Sequence, residues 1–209
     1  RLSKYNLPNR QVSNVPSQKH LVLVPGQVED DQSILKGAKD VATNLELVRA
    51  ARQLFPDSHL IYKPHPDVVA GLRQGGAESD AISELADAVV VDADITTLLD
   101  QVDHVATITS QTGFEALLRG KKVTCFGAPF YAGWGLTQDV GWVPERRCAK
   151  PTLDGLVHAA LIGYPRYSSY RCRYQGFHRT GCFCLMLERL QCLRYLMSTY
   201  SNRIVHCSY

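Results

Sequence analysis

His104-Val105-Ala106-Thr107-Ile108-Thr109-Ser110-Gln111-Thr112-Gly113-Phe114-Glu115-Ala116-Leu117-Leu118-Arg119-Gly120 is followed, after Lys121, by Lys122-Val123-Thr124-Cys125-Phe126. The first five residues form a short apolar run and read as a buried strand that ends at Thr109-Ser110. Residues 113–119 carry a helix that Gly120 stops, and residues 122–126 return as a strand. A strand, a helix and a strand at this spacing make a βαβ unit, which forces the two strands to run parallel.

The alternation continues outward from that unit. His20-Leu21-Val22-Leu23-Val24 is a strand closed by Pro25-Gly26. Thr43 and Glu46 fit a capping box, and Leu47, Val48, Ala51, Leu54 and Phe55 recur at helical spacing, so a helix starts at Asn44 and stops at Pro56-Asp57. His59-Leu60-Ile61-Tyr62 is the next strand and runs straight into Lys63-Pro64-His65-Pro66. Pro66 opens a helix reaching Gly71, because a missing N–H is harmless in the first turn. Beyond it, residues 83–87 read as a short helix, 88–91 as a strand and 95–99 as a helical turn. A last helix over 152–162 is capped by Thr152 and ended by Gly163. The expectation is an α/β domain around a parallel sheet, with no internal repeat.

In an open parallel sheet the carboxyl ends of the strands face one crevice, where groups distant in sequence meet a common ligand. Three stretches fall at such ends: Gly26-Gln27-Val28-Glu29-Asp30-Asp31, Lys63-Pro64-His65-Pro66 and Thr109-Ser110-Gln111-Thr112-Gly113-Phe114-Glu115. Asp30 and Asp31 are candidate catalytic carboxylates, against the ordinary alternative that they cap a helix or face water. Glu29 is a weaker candidate, since alternation turns it outward. His65 sits between two prolines that rigidify its backbone, and Lys63 adds a point charge beside it. The strand-to-helix turn at Ser110, Gln111 and Gly113 offers hydroxyl and backbone donors to an anion. Glu115 lies one turn further on, either as a ligand or as a complement to the helix dipole. Gly127 to Thr137 is dense in glycine and aromatic residues, with Phe130, Tyr131 and Trp134 either walling a pocket or packing in the core.

These motifs carry a resemblance. Val24-Pro25-Gly26-Gln27-Val28-Glu29-Asp30-Asp31, Tyr62-Lys63-Pro64-His65-Pro66-Asp67 and the run from Gly113 through Thr137 resemble the KpsC family of bacterial capsule proteins. The likeness covers residues 1–167, and the Gln-Val-Glu-Asp-Asp form is similar to the second of the two transferase modules such proteins carry. It implies a retaining β-Kdo glycosyltransferase that uses CMP-Kdo to build the Kdo linker on a lipid anchor of capsular polysaccharide. It also implies a Rossmann-like parallel sheet forming the nucleotide-binding lobe of a two-lobed GT-B-like glycosyltransferase, with most of the acceptor lobe missing.

The resemblance also assigns roles. Retention by double displacement needs a carboxylate nucleophile near the anomeric carbon, and Asp31 is preferred over Asp30 because the family's two module types share that last Asp. Gln27 would bind the Kdo carboxylate or orient Asp31. His65 would hold the nucleotide phosphate and stabilise the leaving group, helped by Lys63, while Ser110 would donate to the phosphate. Glu115 resembles the acid that accepts hydrogen bonds from ribose hydroxyls, and Tyr131 and Trp134 would line the donor pocket. No His/Cys/carboxylate cluster has metal-ligand spacing, so no metal and no cofactor beyond the CMP-Kdo substrate are expected. The implied partners are a lipid-linked Kdo acceptor and other capsule biosynthesis and export proteins; no nucleic-acid partner is expected. A UDP-sugar transferase or epimerase of the same architecture, and an inactive truncated remnant, stay open as alternatives.

Composition bounds the rest. The 209 residues suit one medium domain, and a chain opening on Arg1 without Met reads as a fragment. No apolar run approaches the roughly 20 residues of a membrane span, and nothing near Arg1 has the form of a signal peptide. The expected location is cytoplasmic, with peripheral association at the cytoplasmic face of the inner membrane. Residues 168–209 hold six arginines, no lysine, a single acid and five of the seven cysteines, which marks a boundary after residue 167. Metal binding by that tail lacks the paired cysteine spacing; contact with anionic lipid or nucleic acid fits its charge. The preferred reading is an atypical Arg/Cys-rich tail from a frameshifted or truncated reading frame, with little reliable structure expected, because the resemblance stops at Tyr164-Pro165-Arg166-Tyr167 and lysine vanishes.

Overall fold

The computed structural model describes residues 19–71 and 79–165, so the readings made for residues 168–209 lie outside the described residues. The chain divides into two units, Ser3–Leu156 and a second made of Arg1–Leu2 with Val157–Tyr209. The sheet and the candidate site belong to the first.

Six strands form one parallel sheet: β1 (Leu21–Pro25), β2 (His59–Lys63), β3 (Ala88–Val89), β4 (His104–Thr107), β5 (Lys122–Cys125) and β6 (Gln138–Asp139). Their order is β3-β2-β1-β4-β5-β6, the doubly wound arrangement of dinucleotide-binding sheets. From β1 the chain builds outward to β2 and β3, then returns to start again at β4 on the other side. The gap between β1 and β4 is therefore the topological switch point, where ligands bind in open α/β sheets. All five residues of β1 are buried, as expected of a central strand covered on both faces.

Side chains alternate across the sheet. Val22, Val24, Leu60, Tyr62 and Ala106 pack with Leu47, Val48 and Ala51 of α2 (Asn44–Leu54), Ile34 of α1 (Gln32–Gly37) and Ile82 of α4 (Ser79–Leu85) in one core cluster. Leu23, Ile61 and Val105 alternate with that set and so face the other side. There α5 (Ile95–Gln101) packs against β1, and α6 (Gln111–Leu118) against β4 and β5. Leu47 and Leu60 are fully buried, so truncating either to Ala would cost about 2–5 kcal/mol.

Helix α2 starts as its local sequence dictates: Thr43 Oγ1 accepts from the Glu46 amide and the Glu46 carboxylate accepts from the Thr43 amide, completing the capping box. Helix α3 (Pro66–Val69) has Pro66 in its first turn. It stops earlier than the expected Gly71. Helix α4 starts and ends earlier than the reading of residues 83–87. Helix α7 (Leu153–His158) gives way to a π-helical turn, Ala159–Gly163, where a single helix was expected. Two elements were not anticipated. Helix α1 buries only Ile34 and leaves Leu35 exposed, so it has little periodic signal; β6 is two polar residues long. Among the described residues no helix is long and apolar enough to cross a membrane.

Candidate functional site

A cavity of about 480 Å³ opens at the carboxyl ends of β1, β2 and β4, at the switch point. All three sequence stretches contribute to its wall. Gly26, Gln27 and Asp31 come from the first, Lys63 and His65 from the second, and Ser110, Gln111, Thr112 and Glu115 from the third; Ile95 and Phe130 add apolar surface.

Gly26 continues the pairing of β1 with β2, its amide donating to the Lys63 carbonyl at 2.7 Å. A Cβ there would stand 2.7 Å from the Tyr62 hydroxyl and 3.1 Å from the His65 amide nitrogen. Only glycine lets the two strand ends come this close. The Tyr62 hydroxyl is buried beneath this crossing, and burial, reinforced by Glu29, pushes its pKa up.

Gln27 is buried, and its side chain is engaged on both polar atoms. Oε1 accepts from Thr107 Oγ1 (3.1 Å), the Ile108 amide (3.2 Å) and the Thr109 amide (3.0 Å), while Nε2 donates to Thr109 Oγ1 (2.9 Å). Gln27 thus braces the end of β1 against the end of β4 across the switch point. The backbone of Gln27 is held from the other side by Asn44, a residue the sequence reading did not single out as functional. Gln27 N donates to Asn44 Oδ1 at 2.8 Å and Asn44 Nδ2 donates to Gln27 O at 2.9 Å.

Asp31 lines the cavity and also caps α1, with Oδ1 accepting the Ser33 amide at 2.8 Å. The two readings weighed for it, helix cap and site carboxylate, thus coexist in one side chain. Asp30 is exposed and does not line the cavity. Glu29 is half-buried and turned to Asn44, whose amide and Nδ2 both donate to Glu29 Oε1, at 2.7 and 2.9 Å.

His65 caps the start of α3: Nδ1 accepts the Asp67 amide at 3.2 Å. A ring nitrogen that accepts an N–H carries no proton, so the neutral ring holds its proton on Nε2. Lys63 is buried and its Nζ donates to the Val91 carbonyl at 2.9 Å. Burial pulls its pKa below the usual lysine range, an effect that Asp94 and Asp92 oppose.

Ser110 is the N-cap of α6, its Oγ accepting the Thr112 amide at 3.2 Å and donating to Thr112 Oγ1 at 3.1 Å. The helix begins at Gln111, earlier than the expected Gly113, because the hydroxyl satisfies an amide of the first turn. Glu115 follows on the same wall. Its Oε2 is buried and has no hydrogen-bond partner among the described residues. Burial raises its pKa, Arg119 opposes that shift and Asp94 adds to it. A buried carboxylate oxygen without a donor is costly, and Glu115 carries that cost on a residue of the cavity wall.

The structure places Gly113, Tyr131 and Trp134 outside the cavity wall. Tyr131 is fully buried, stacks on Phe114 and donates its hydroxyl to the Ser110 carbonyl. The aromatic on the wall is Phe130, edge-on to both Phe114 and Tyr131. Trp134 Nε1 donates to the Phe130 carbonyl at 2.7 Å. Arg147, which the sequence did not flag, ties down this loop by donating to the carbonyls of Pro129 (2.5 Å) and Ala132 (2.7 Å). Among the described residues no group of three or more His, Cys, Asp or Glu is arranged to hold a metal.

Residues 1–167 match the family described as capsule polysaccharide biosynthesis protein. The chain is 50% identical over 166 residues to the capsule polysaccharide modification protein LipA of Neisseria meningitidis serogroup A, a match covering 79% of this chain and 23% of that protein. It is 49% identical over 170 residues to the lipopolysaccharide-processing protein LpsZ of Rhizobium meliloti, covering 79% of this chain and 38% of LpsZ. Two solved structures from Thermosulfurimonas dismutans share the fold. The KpsC beta Kdo 2,7 transferase aligns with a TM-score of 0.67 at 39% identity, over 77% of this chain and 51% of its own. The KpsC beta Kdo 2,4 transferase aligns with a TM-score of 0.68 at 36% identity, over 76% and 50%. The chain thus spans well under half of these curated relatives and about half of each solved transferase.

Proposed function

Because the chain belongs to the family of capsule polysaccharide biosynthesis proteins, we propose that it is the donor lobe of a GT-B-like glycosyltransferase that moves Kdo from CMP-Kdo, with retention, onto a lipid-linked Kdo acceptor. The observation that carries this reading is the convergence of Asp31, His65 and Glu115, from three separate sequence stretches, on one switch-point cavity. The names of the two solved neighbours, both Kdo transferases, support the donor class.

The proposed chemistry follows from those groups. The Glu115 carboxylate, on the cavity wall, accepts from the ribose hydroxyls. His65 Nε2–H donates to the phosphate and stabilises the negative charge that grows there as the glycosidic C–O bond breaks. The Asp31 carboxylate attacks the anomeric carbon as CMP leaves, giving a glycosyl ester with inverted configuration. An acceptor hydroxyl then attacks the same carbon, transfers its proton to base, and releases Asp31 as the carboxylate; two inversions give net retention. The N-terminus of α6, which Gln111 and Thr112 bring to the cavity wall, favours the phosphate through the helix dipole, and Ser110 Oγ donates to it on releasing Thr112 Oγ1. The reading needs no cofactor, and it carries with it work at the cytoplasmic face of the inner membrane alongside other capsule proteins.

Incubation of this lobe, joined to the acceptor lobe of a full-length relative, with CMP-Kdo and a Kdo-terminated acceptor tests it, with the new anomeric centre read by NMR. A β-linked product with CMP released supports the reading. An α-linked product, or preference for a UDP-sugar over CMP-Kdo, contradicts it.

A further inference from the structure

We propose that Asn44 is the positioning residue of the Gly26–Asp31 turn, acting through the backbone of Gln27 and the side chain of Glu29 on the carboxylate of Asp31. This rests on the reading of Asp31 as the reacting carboxylate.

The turn leaves β1 with no regular structure of its own before α1 begins at Gln32. Such a segment drifts unless its polar groups are tied to rigid elements. Asn44 is the first residue of α2, whose capping box and buried face fix it on the sheet. Its side-chain amide pairs with both polar groups of the Gln27 backbone, at 2.8 and 2.9 Å, as a neighbouring strand would. The same Nδ2 and the Asn44 amide converge on Glu29 Oε1, at 2.9 and 2.7 Å. Four hydrogen bonds thus link α2 to two alternate residues of the turn.

The residue type is dictated by this pattern. Asn offers an acceptor to the Gln27 amide and two hydrogens for the Gln27 carbonyl and Glu29. An aspartate in its place would keep the acceptor, lose both donors and set a second carboxylate against Glu29. Placement of Gln27 matters because its side chain bridges to β4, while Asp31 closes the turn by donating its amide to the Val28 carbonyl at 3.1 Å. His65 follows β2 and makes none of these bonds, whereas Ser110 and Glu115 follow the β4 end that Gln27 braces.

The test compares Asn44→Asp, Glu29→Gln and the double variant of the full chain with the parent. Backbone amide exchange is read at Gln27, Asp31 and Ser33, CMP affinity by calorimetry, and Kdo transfer by CMP release. Asn44→Asp is expected to speed exchange at these three amides by at least about tenfold while amides of β4 stay protected, leave CMP affinity within about threefold, and slow transfer by about a hundredfold. Glu29→Gln in the Asn44→Asp background supplies an amide donor to the new carboxylate and should restore part of each loss. Exchange that is unchanged, or that rises equally across the sheet without rescue, overturns the proposal. Exchange confined to the turn with no transfer and no CMP binding in the parent upholds the clamp and refutes the donor reading instead.

Discussion

The Tyr131 hydroxyl donates to the carbonyl of Ser110, directly beneath Gly113. Ser110 faces the cavity, so a core tyrosine from the loop after β5 sets the height of the α6 N-terminus. A Cβ on Gly113 would lie 2.8 Å from Tyr131 Cζ, which is why a residue inside a helix must be glycine. Gly113→Ala should therefore destabilise the fold by about 1–3 kcal/mol through overpacking, and Tyr131→Phe by about 1 kcal/mol through the lost hydrogen bond. Urea midpoints measure both; an unchanged midpoint for Gly113→Ala would mean that the tyrosine moves freely.

Much of this was legible because it is local. The Thr43/Glu46 capping box, the Pro66 helix start and the strand runs of β1 and β2 are each written in a few adjacent residues, and alternating strands and helices gave the parallel sheet. The cleft residues Asp31, His65, Ser110 and Glu115 were legible as motifs at strand ends. What could not be read was long-range. Asn44 looks like an ordinary residue at a helix start, and only its partners Gln27 and Glu29, fifteen or more positions away, make it part of the site. Tyr131, Trp134 and Phe130 form one aromatic cluster in the sequence, yet which ring faces the cavity is decided by packing against Phe114. Helix α1 was invisible because a single buried residue makes no period.

Glu115 should trade stability for binding. Its pKa is raised above the ordinary carboxylate value of 4.5 by burial, so the folded state binds the proton more tightly than the unfolded chain, and stability falls as pH rises from 4.5 through the raised value. At neutral pH Glu115→Gln is expected to raise the thermal midpoint while weakening CMP binding at least about tenfold. A variant that is less stable and binds CMP normally would show that Glu115 is structural.

His104 works in the opposite direction. It is buried, its Nε2 hydrogen-bonds with Thr124 Oγ1 at 2.8 Å, and its pKa is pulled from 6.5 to about 4 by burial first, then by His20 and Lys122. The unfolded chain therefore takes up a proton near pH 6.5 that the folded protein refuses until about pH 4. Stability should be full above 6.5 and fall by about 3 kcal/mol as pH drops to 4. Urea titrations across that window should show the slope in the parent and a flatter one in His104→Gln. A pH-independent parent would contradict the buried neutral imidazole.

Arg147 should matter more for its shape than its charge. Its Nη1 serves two carbonyls, Pro129 and Ala132, and Nη2 reaches Ala128 at 3.4 Å. Arg147→Lys keeps the charge but loses the planar fork, so limited proteolysis should cut residues 128–134 faster than in the parent. Equal resistance would mean that Trp134 and Tyr131 hold the loop without it.

The donor-site reading is tested most directly by CMP titration of the parent, Asp31→Asn and His65→Ala chains, with and without EDTA. The parent should bind CMP equally well in EDTA. Asp31→Asn should stay within about threefold, since its partner is the anomeric carbon and not the nucleotide, whereas His65→Ala should bind at least about tenfold more weakly because it loses a phosphate donor. A parent that fails to bind CMP, or that needs a divalent ion to do so, contradicts a metal-free nucleotide-sugar site at the β1/β4 switch point.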